Sequence, residues 1–304
     1  MAATAVEVVD LRKSYGSVQA VRGISFTVAE GEVFALLGPN GAGKTTTVEI
    51  LEGFRKRDGG RVSVLGFDPA NGDRRLKEQI GVVLQTTGVD AYLTVAETVD
   101  MFRGYYPKPR ARDDVIRLVG LEDKASSRVT KLSGGQKRRL DVAIALAGDP
   151  RVLFLDEPTT GFDPGARRNA WEVIKGLAGL GKTIFLTSHA MDEVQHLADR
   201  VVIIAAGKIV AEGTPDSLVG RRQAETVIKF RLPASATLPD SLRRTAKREG
   251  ESVELEAADP TRTLFELTSW AVGAGVSLEG MQVTRPSLED VYLEITKEAE
   301  TASA

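Results

Sequence analysis

Apolar and polar residues alternate in short runs over the first part of the chain, in AVEVV, GISFTV and EVFALLG, each closed by turn-forming residues. That period of two predicts β-strands. After GPNGAGKTT at residues 38–46 the spacing changes to three and four, with Val48, Leu51 and Phe54 on one helical face turned to the core. RVSVLG and IGVVLQ read as strands, split by the charged segment DRRLKEQ. From Thr94 to about Arg128 the helical spacing returns in VAETVDMF and DDVIRLVGL, and LSGGQKRRLDVAIALAG reads as one long helix. VLFLDEP, TIFLTSH and VVIIAAGKIV follow as strands separated by helical stretches. Strands alternating with helices predict a mainly parallel α/β sheet.

Near Gly220 the rhythm changes. GRRQAETVIKFRLP, SVELEA and VSLEGMQVT alternate as strands, interleaved with the helical TLFELTSWAV and closed by SLEDVYLEITKE. The pattern predicts two domains, a large one over residues 1–220 and a small α+β one over residues 221–304, with the terminal TASA disordered. Neither repeats the other.

Composition narrows the function classes. The 304 residues are 42% hydrophobic and 27% charged, with a net charge of −2, so no basic field favours nucleic acid as partner. Zero cysteines exclude disulfides, thiol catalysis and Cys-ligated zinc. The start MAATAVEVVD has neither the basic region nor the apolar stretch of a signal peptide. The longest apolar runs, such as VVIIAA, fall far short of the roughly 18 residues of a membrane helix. Action at a membrane would therefore need another chain to span it.

The chemistry begins at residues 38–46. Gly38, Gly43, Lys44 and Thr45 fit G-x-x-x-x-G-K-[ST] between a predicted strand and a predicted helix. Glycines let backbone N–H groups turn toward a β-phosphate, and the helix adds its positive end. In this arrangement Lys44 reaches the β- and γ-phosphates and the Thr45 hydroxyl binds Mg²⁺. The whole loop, through Pro39, Asn40, Gly41, Ala42 and Thr46, is a candidate ATP-binding segment. VLFLDEP then places Asp156 and Glu157 at the end of a buried strand. Neighbouring side chains on a strand point to opposite faces, which divides their tasks. Asp156 is expected to face the Mg²⁺ shell and Glu157 the γ-phosphate, where it orients or deprotonates water. The bland alternative is a surface pair that closes a strand before Pro158.

A second glycine turn, LSGGQ at residues 132–136, opens another predicted helix, with Ser133 as its N-cap. With this motif standing before VLFLDEP, the chain resembles the ATP-binding subunits of ABC transporters. The resemblance runs from about Val6 to Leu218 with the motifs in order. It implies a P-loop ABC ATPase domain: a mainly parallel sheet core, an N-terminal antiparallel β part and a helical signature subdomain. It also implies a head-to-tail homodimer, in which Ser133, Gly134, Gly135 and Gln136 touch the ATP held by the partner's phosphate loop. By the same resemblance Tyr15 stacks on adenine, unless it is a core tyrosine at a strand end. Gln85 contacts Mg²⁺ and senses the membrane subunit, His189 contacts the γ-phosphate, and Asp163 crosses the dimer interface. Phe162 stands where the family usually has Leu. His196 reads as a surface residue.

The stretches around Gln85 and Leu140, and the ending RPSLEDVYLEITKE, are similar to daunorubicin-resistance-type subunits, which implies export of a drug, antibiotic or lipid-like substrate. A separate integral-membrane permease is the expected partner, held at the cytoplasmic face of a bacterial membrane. Residues 85–106 would receive its cytoplasmic helix, although Tyr92, Phe102 and Tyr105 read individually as internal packing. Two rivals stand beside this reading. One is the ATPase of an importer. The other is a soluble ABC ATPase acting on ribosomes or DNA, which the single set of motifs and the short spacing between them disfavour.

Overall fold

The computed structural model describes residues 3–83, 88–221, 226–233, 236–284 and 288–301. Contacts divide it into a larger unit ending at Pro215 and a smaller one, Asp216–Glu294, with the end of the last helix counted with the larger. The division falls five residues before the expected 220/221 boundary. TASA lies outside the described residues apart from Thr301.

The larger unit opens with two long strands, β1 (Thr4–Tyr15) and β2 (Val18–Ala29), then β3 (Val33–Leu37) and helix α1 (Lys44–Leu51). β4 (Gly59–Val64), the short α2 (Arg74–Lys77) and β5 (Ile80–Val83) follow. Next come α3 (Val95–Arg103), α4 (Arg112–Leu118) and α5 (Gly134–Leu146), which pack on one another. The order continues β6 (Val152–Asp156), α6 (Pro164–Gly179), β7 (Thr183–Ser188), α7 (Met191–Leu197), β8 (Arg200–Ala205) and β9 (Lys208–Gly213).

Two sheets result. An antiparallel one has the order β2-β1-β4, and a six-stranded one the order β5-β6-β7-β3-β8-β9. All neighbours in the second sheet run parallel except β8 and β9. The uninterrupted apolar runs explain its centre: β3 and β7 are buried throughout, and β6 nearly so, because helices or the other sheet cover both faces. A row of aromatic rings joins the sheets. Phe26 of β2 stacks on Phe34 of β3 at 5.2 Å, Phe34 meets Phe185 at 5.1 Å, and Phe185 meets Phe154 at 5.6 Å. Burying each ring contributes about 1.5–3 kcal/mol. Because β6, β7 and β3 are adjacent and parallel, their carboxyl ends open on one edge, where α/β sheets place ligands.

The helical stretch was expected to fold as it does, and the caps explain the boundaries. Thr94 and Glu97 form a reciprocal capping box at the start of α3. Two packing expectations are overturned. Phe54 is 69% exposed, because α1 ends at Leu51 and Gly53, at φ 80°, turns the chain away before the third apolar position is reached. Tyr92 and Tyr105 are also exposed rather than packed inside, while Phe102 is half-buried against the Tyr105 ring at 6.0 Å. His196 is exposed as expected, with its ring 4.8 Å from Trp171.

The smaller unit holds α8 (Pro215–Arg221), β10 (Thr226–Arg231), α9 (Asp240–Arg243), β11 (Ala246–Glu249), β12 (Ser252–Ala257), α10 (Pro260–Ala274) and β13 (Glu279–Thr284), and leads into α11 (Leu288–Thr301). Its sheet is antiparallel, ordered β11-β12-β10-β13. Alternation along β10 and β12 puts Ile228, Phe230, Val253 and Leu255 on the inner face, packed with Leu267 of α10. β11 was not expected, since its AKRE sequence carries no apolar alternation.

Candidate functional site

The segment between β3 and α1 turns tightly because two of its glycines leave no room for a side chain. A Cβ on Gly38 would sit 2.3 Å from the Ile204 carbonyl oxygen, and one on Gly43 2.4 Å from that of Ala20. Gly43, at φ 104°, is also the left-handed N-cap of α1. No side chain caps this helix, so its first N–H groups stay open to an anion. Lys44 is buried, and its Nζ donates to the carbonyl oxygens of Gly38 at 2.6 Å and Pro39 at 3.2 Å. Burial lowers its pKa, while the Glu157 and Asp156 carboxylates oppose that shift. Thr45 and Asn40 are exposed, Thr46 is half-buried and Ala42 buried.

On neighbouring β6 the strand ends at Asp156, and Glu157 stands at φ 47°. This corrects the pleat argument. Only Asp156 lies on the strand, so alternation does not apply to the pair: the backbone turns left-handed at Glu157. One hydroxyl serves both residues: Thr187 of β7 donates to Asp156 Oδ1 and accepts from the Glu157 N–H at 3.2 Å. The Glu157 carboxylate accepts from the Thr160 hydroxyl at 3.1 Å and lies 3.3 Å from His189 Nδ1. His189 is exposed just beyond β7. The carboxyl ends of adjacent strands thus gather Lys44, Asp156, Glu157 and His189.

Tyr15 ends β1 partly exposed, with its hydroxyl 3.5 Å from Thr46 Oγ1. It is no core residue, and two cations face its ring: the Arg55 guanidinium at 5.2 Å and Lys13 Nζ at 5.5 Å. Gln85 lies outside the described residues.

The second glycine turn stands elsewhere. Ser133 caps α5, its Oγ accepting from the Gln136 N–H at 3.3 Å while Gln136 Oε1 accepts from the Ser133 N–H at 2.9 Å. Ser133, Gly135 and Gln136 line a cavity of about 350 Å³ with Asp163 and Ala166, and no phosphate-loop residue lines it. Asp163 caps α6, accepting from the N–H groups of Gly165 and Ala166, both at 2.9 Å. Gly134 is exposed, and a Cβ there would meet nothing within 4 Å.

Sequence reasoning missed Thr160, Thr187 and Glu52. The last is a buried carboxyl at the end of α1, pushed up to about 8 by burial first, then by Asp156 and Glu49. Its signal was a Glu directly after the apolar pair Ile50 and Leu51 in EILEGF.

The fold and its loop together define a nucleotide-binding P-loop protein, and comparison with known proteins narrows the class. Residues 21–160 match the family described as ABC transporter, and residues 226–287 match the ABC transporter domain-containing protein-like C-terminal domain. The Nod factor export ATP-binding protein I of Rhizobium sp. (strain N33) is 38% identical, covering 97% of this chain and 98% of that protein. Its counterpart in Burkholderia orbicola (strain AU 1054) is 40% identical over the same shares. Among solved structures, cbiO1 of Clostridium perfringens, part of the ABC transporter complex cbiONQ, superposes with a TM-score of 0.64 at 28% identity, over 72% of this chain and 92% of that one. A dimeric ATP-binding cassette bound to ADP and Pi has a TM-score of 0.61 at 24% identity, over 69% of this chain and 98% of that one, and shares the fold. The chain belongs to the ABC transporter family, as an ATP-binding subunit. It is an ABC-type ATPase.

Proposed function

We propose that this subunit drives export of a drug, antibiotic or lipid-like substrate through a separate permease, and that it hydrolyses ATP at the interface of a head-to-tail homodimer. One observation carries the reading: the chain has two glycine turns that each begin a helix, and only one of them stands beside the hydrolytic side chains. Residues 38–46 hold the triphosphate of the chain's own ATP, with Tyr15 against adenine. Ser133, Gly134, Gly135 and Gln136 approach the nucleotide of the partner, and Asp163 crosses between the two chains. Glu157 takes the proton of the attacking water, and His189, beside it, positions the γ-phosphate.

The residues fit a Mg²⁺ ion in one way. Among the described residues no cluster of three or more His, Cys, Asp or Glu could hold a metal by itself. Thr45 offers an exposed hydroxyl, and Asp156 a carboxylate of which one oxygen is engaged by Thr187. One carboxylate, one hydroxyl and the phosphates of ATP are the ligands Mg²⁺ prefers, and Gln85 completes our proposed set. Bound there, Mg²⁺ neutralises charge on the phosphates.

Export is the direction named for the two curated relatives, and the daunorubicin-resistance resemblance of the chain's ending agrees with it. No helix among the described residues is long and apolar enough to cross a membrane, so in this reading the subunit sits peripherally at the cytoplasmic face. Tyr92, Phe102 and Tyr105, two of them exposed, then take the permease's cytoplasmic helix. In this reading residues 1–220 carry the ATP chemistry and residues 221–304 have an accessory role. Purification of the Glu157→Gln chain with ATP in mild detergent tests the reading. A polytopic membrane protein should co-purify, whereas ribosomal or DNA-repair proteins without one would overturn it.

A further inference from the structure

Behind the Glu157 turn lie buried polar side chains that the roles above leave unused. Arg138, on α5, is 9% exposed. Its Nε donates to the Pro158 carbonyl oxygen and its Nη2 to that of Asp156, both at 3.1 Å, and Asp141 lies 3.8 Å from Nη1. On α7, Glu193 is 1% exposed. Its Oε1 accepts from the Thr159 hydroxyl at 2.7 Å and from Trp171 Nε1 of α6 at 3.2 Å. Burial lowers the Arg138 pKa, and Asp141, Asp156 and Glu193 oppose it, in that order. A guanidinium and a carboxylate are kept out of water here only because each is satisfied by such partners.

What they hold is specific. Asp156, Pro158 and Thr159 are the residues around Glu157, and each is gripped by a side chain from a helix. Glu157 itself has a left-handed backbone, which a non-glycine residue keeps only when its surroundings impose it. Arg138 also stands two residues beyond Gln136, on the helix that the Ser133–Gln136 capping box opens.

We propose that Arg138, Thr159 and Glu193 are positioning residues for Glu157: they hold its turn so that the carboxylate stays beside His189, and Arg138 ties that turn to the signature helix. This rests on the reading that Glu157 activates water and that the signature turn meets the partner's nucleotide. Nucleotide seated on the signature turn of a chain then steadies the glutamate of the same chain, which works on the other ATP of the dimer. The two composite sites are linked through one buried guanidinium.

The test uses full-length chains carrying Thr159→Val, Thr159→Ser, Glu193→Gln or Arg138→Gln, with wild type and Glu157→Gln alongside. ATPase rate is measured against MgATP concentration, binding of a fluorescent ATP analogue gives Kd, and thermal melting reports folding. Thr159→Val should lower kcat about 10–100-fold, the loss expected of a catalytic group displaced by about an ångström, with Kd within about twofold. Thr159→Ser, which keeps the hydroxyl, should restore most of the rate. Arg138→Gln should lower kcat likewise and bring the Hill coefficient for ATP toward one. If Arg138→Gln does not fold, the Thr159 pair decides. Turnover of folded Thr159→Val within twofold of wild type would overturn the inference, as would equal losses in Thr159→Val and Thr159→Ser. Full turnover in Glu157→Gln would instead sink the underlying reading of the site.

Discussion

Two helix starts in this chain are built by opposite means. At α1 no side chain caps the helix, Gly43 holds a left-handed φ, and a buried lysine and two carboxylates stand close by. At α5 the end is closed on itself by Ser133 and Gln136, and its glycines meet little: a Cβ on Gly134 would touch nothing within 4 Å, and one on Gly135 only Ala166 Cβ at 3.4 Å. In the first region Gly38 and Gly43 are required by the chain's own backbone. The second has glycines that the lone chain does not need. In the proposed dimer their smallness admits something from outside, the partner's nucleotide.

The largest effect separating the regions is chemical. Glu157→Gln should lower ATP turnover about 10²–10⁴-fold while ATP binding persists, measured by steady-state ATPase assay and by nucleotide binding. Full turnover would remove the chemistry from the first region.

A smaller effect concerns the phosphate-loop side, where Glu52 is buried at the end of α1 with its pKa raised to about 8. Between the ordinary value of 4.5 and about 8 the unfolded chain has lost a proton that the folded chain keeps. Stability of the nucleotide-free, Mg²⁺-free chain should therefore fall as pH rises through that window, by roughly 3–5 kcal/mol in all. Glu52→Gln should flatten the dependence in denaturant melts at pH 5 and pH 8. An unchanged slope would contradict the buried carboxyl.

The smallest effect sharpens the contrast most. Gly43→Ala should cost about 2–4 kcal/mol of stability, from the left-handed φ and the clash with the Ala20 carbonyl. Gly134→Ala should change stability by at most about 1 kcal/mol, since it fills open space at a helix start. It should still depress ATPase, because the lost space is the partner's. Thermal melts and turnover on the same samples separate the two.

Much of this site was legible in the residues, for identifiable reasons. The loop at residues 38–46 declares itself because phosphate binding demands glycines and lysine at fixed intervals, and LSGGQ because its serine is a natural N-cap at the start of a helical pattern. The central strands were legible because β3, β6 and β7 are covered on both faces and read as unbroken apolar runs. What stayed hidden depends on distant parts of the chain. The left-handed turn at Glu157 rests on Thr187, thirty residues away, and on partners from α5 and α7. The exposure of Phe54 follows from one glycine that ends a helix early. β11 is an edge strand with almost no buried residue, so no alternation marks it.

In the proposed dimer one working site takes its phosphate loop from one chain and its signature turn from another. The most direct measurement mixes two inactive chains, Lys44→Ala, which spoils the loop, and Gly135→Asp, which spoils the signature turn. In a head-to-tail dimer the mixture forms pairs with one complete site, so ATPase activity should reappear well above that of either variant alone. If the mixture stays as inactive as its components while both variants fold and dimerise, the loop and the turn do not meet across an interface, and the account is wrong.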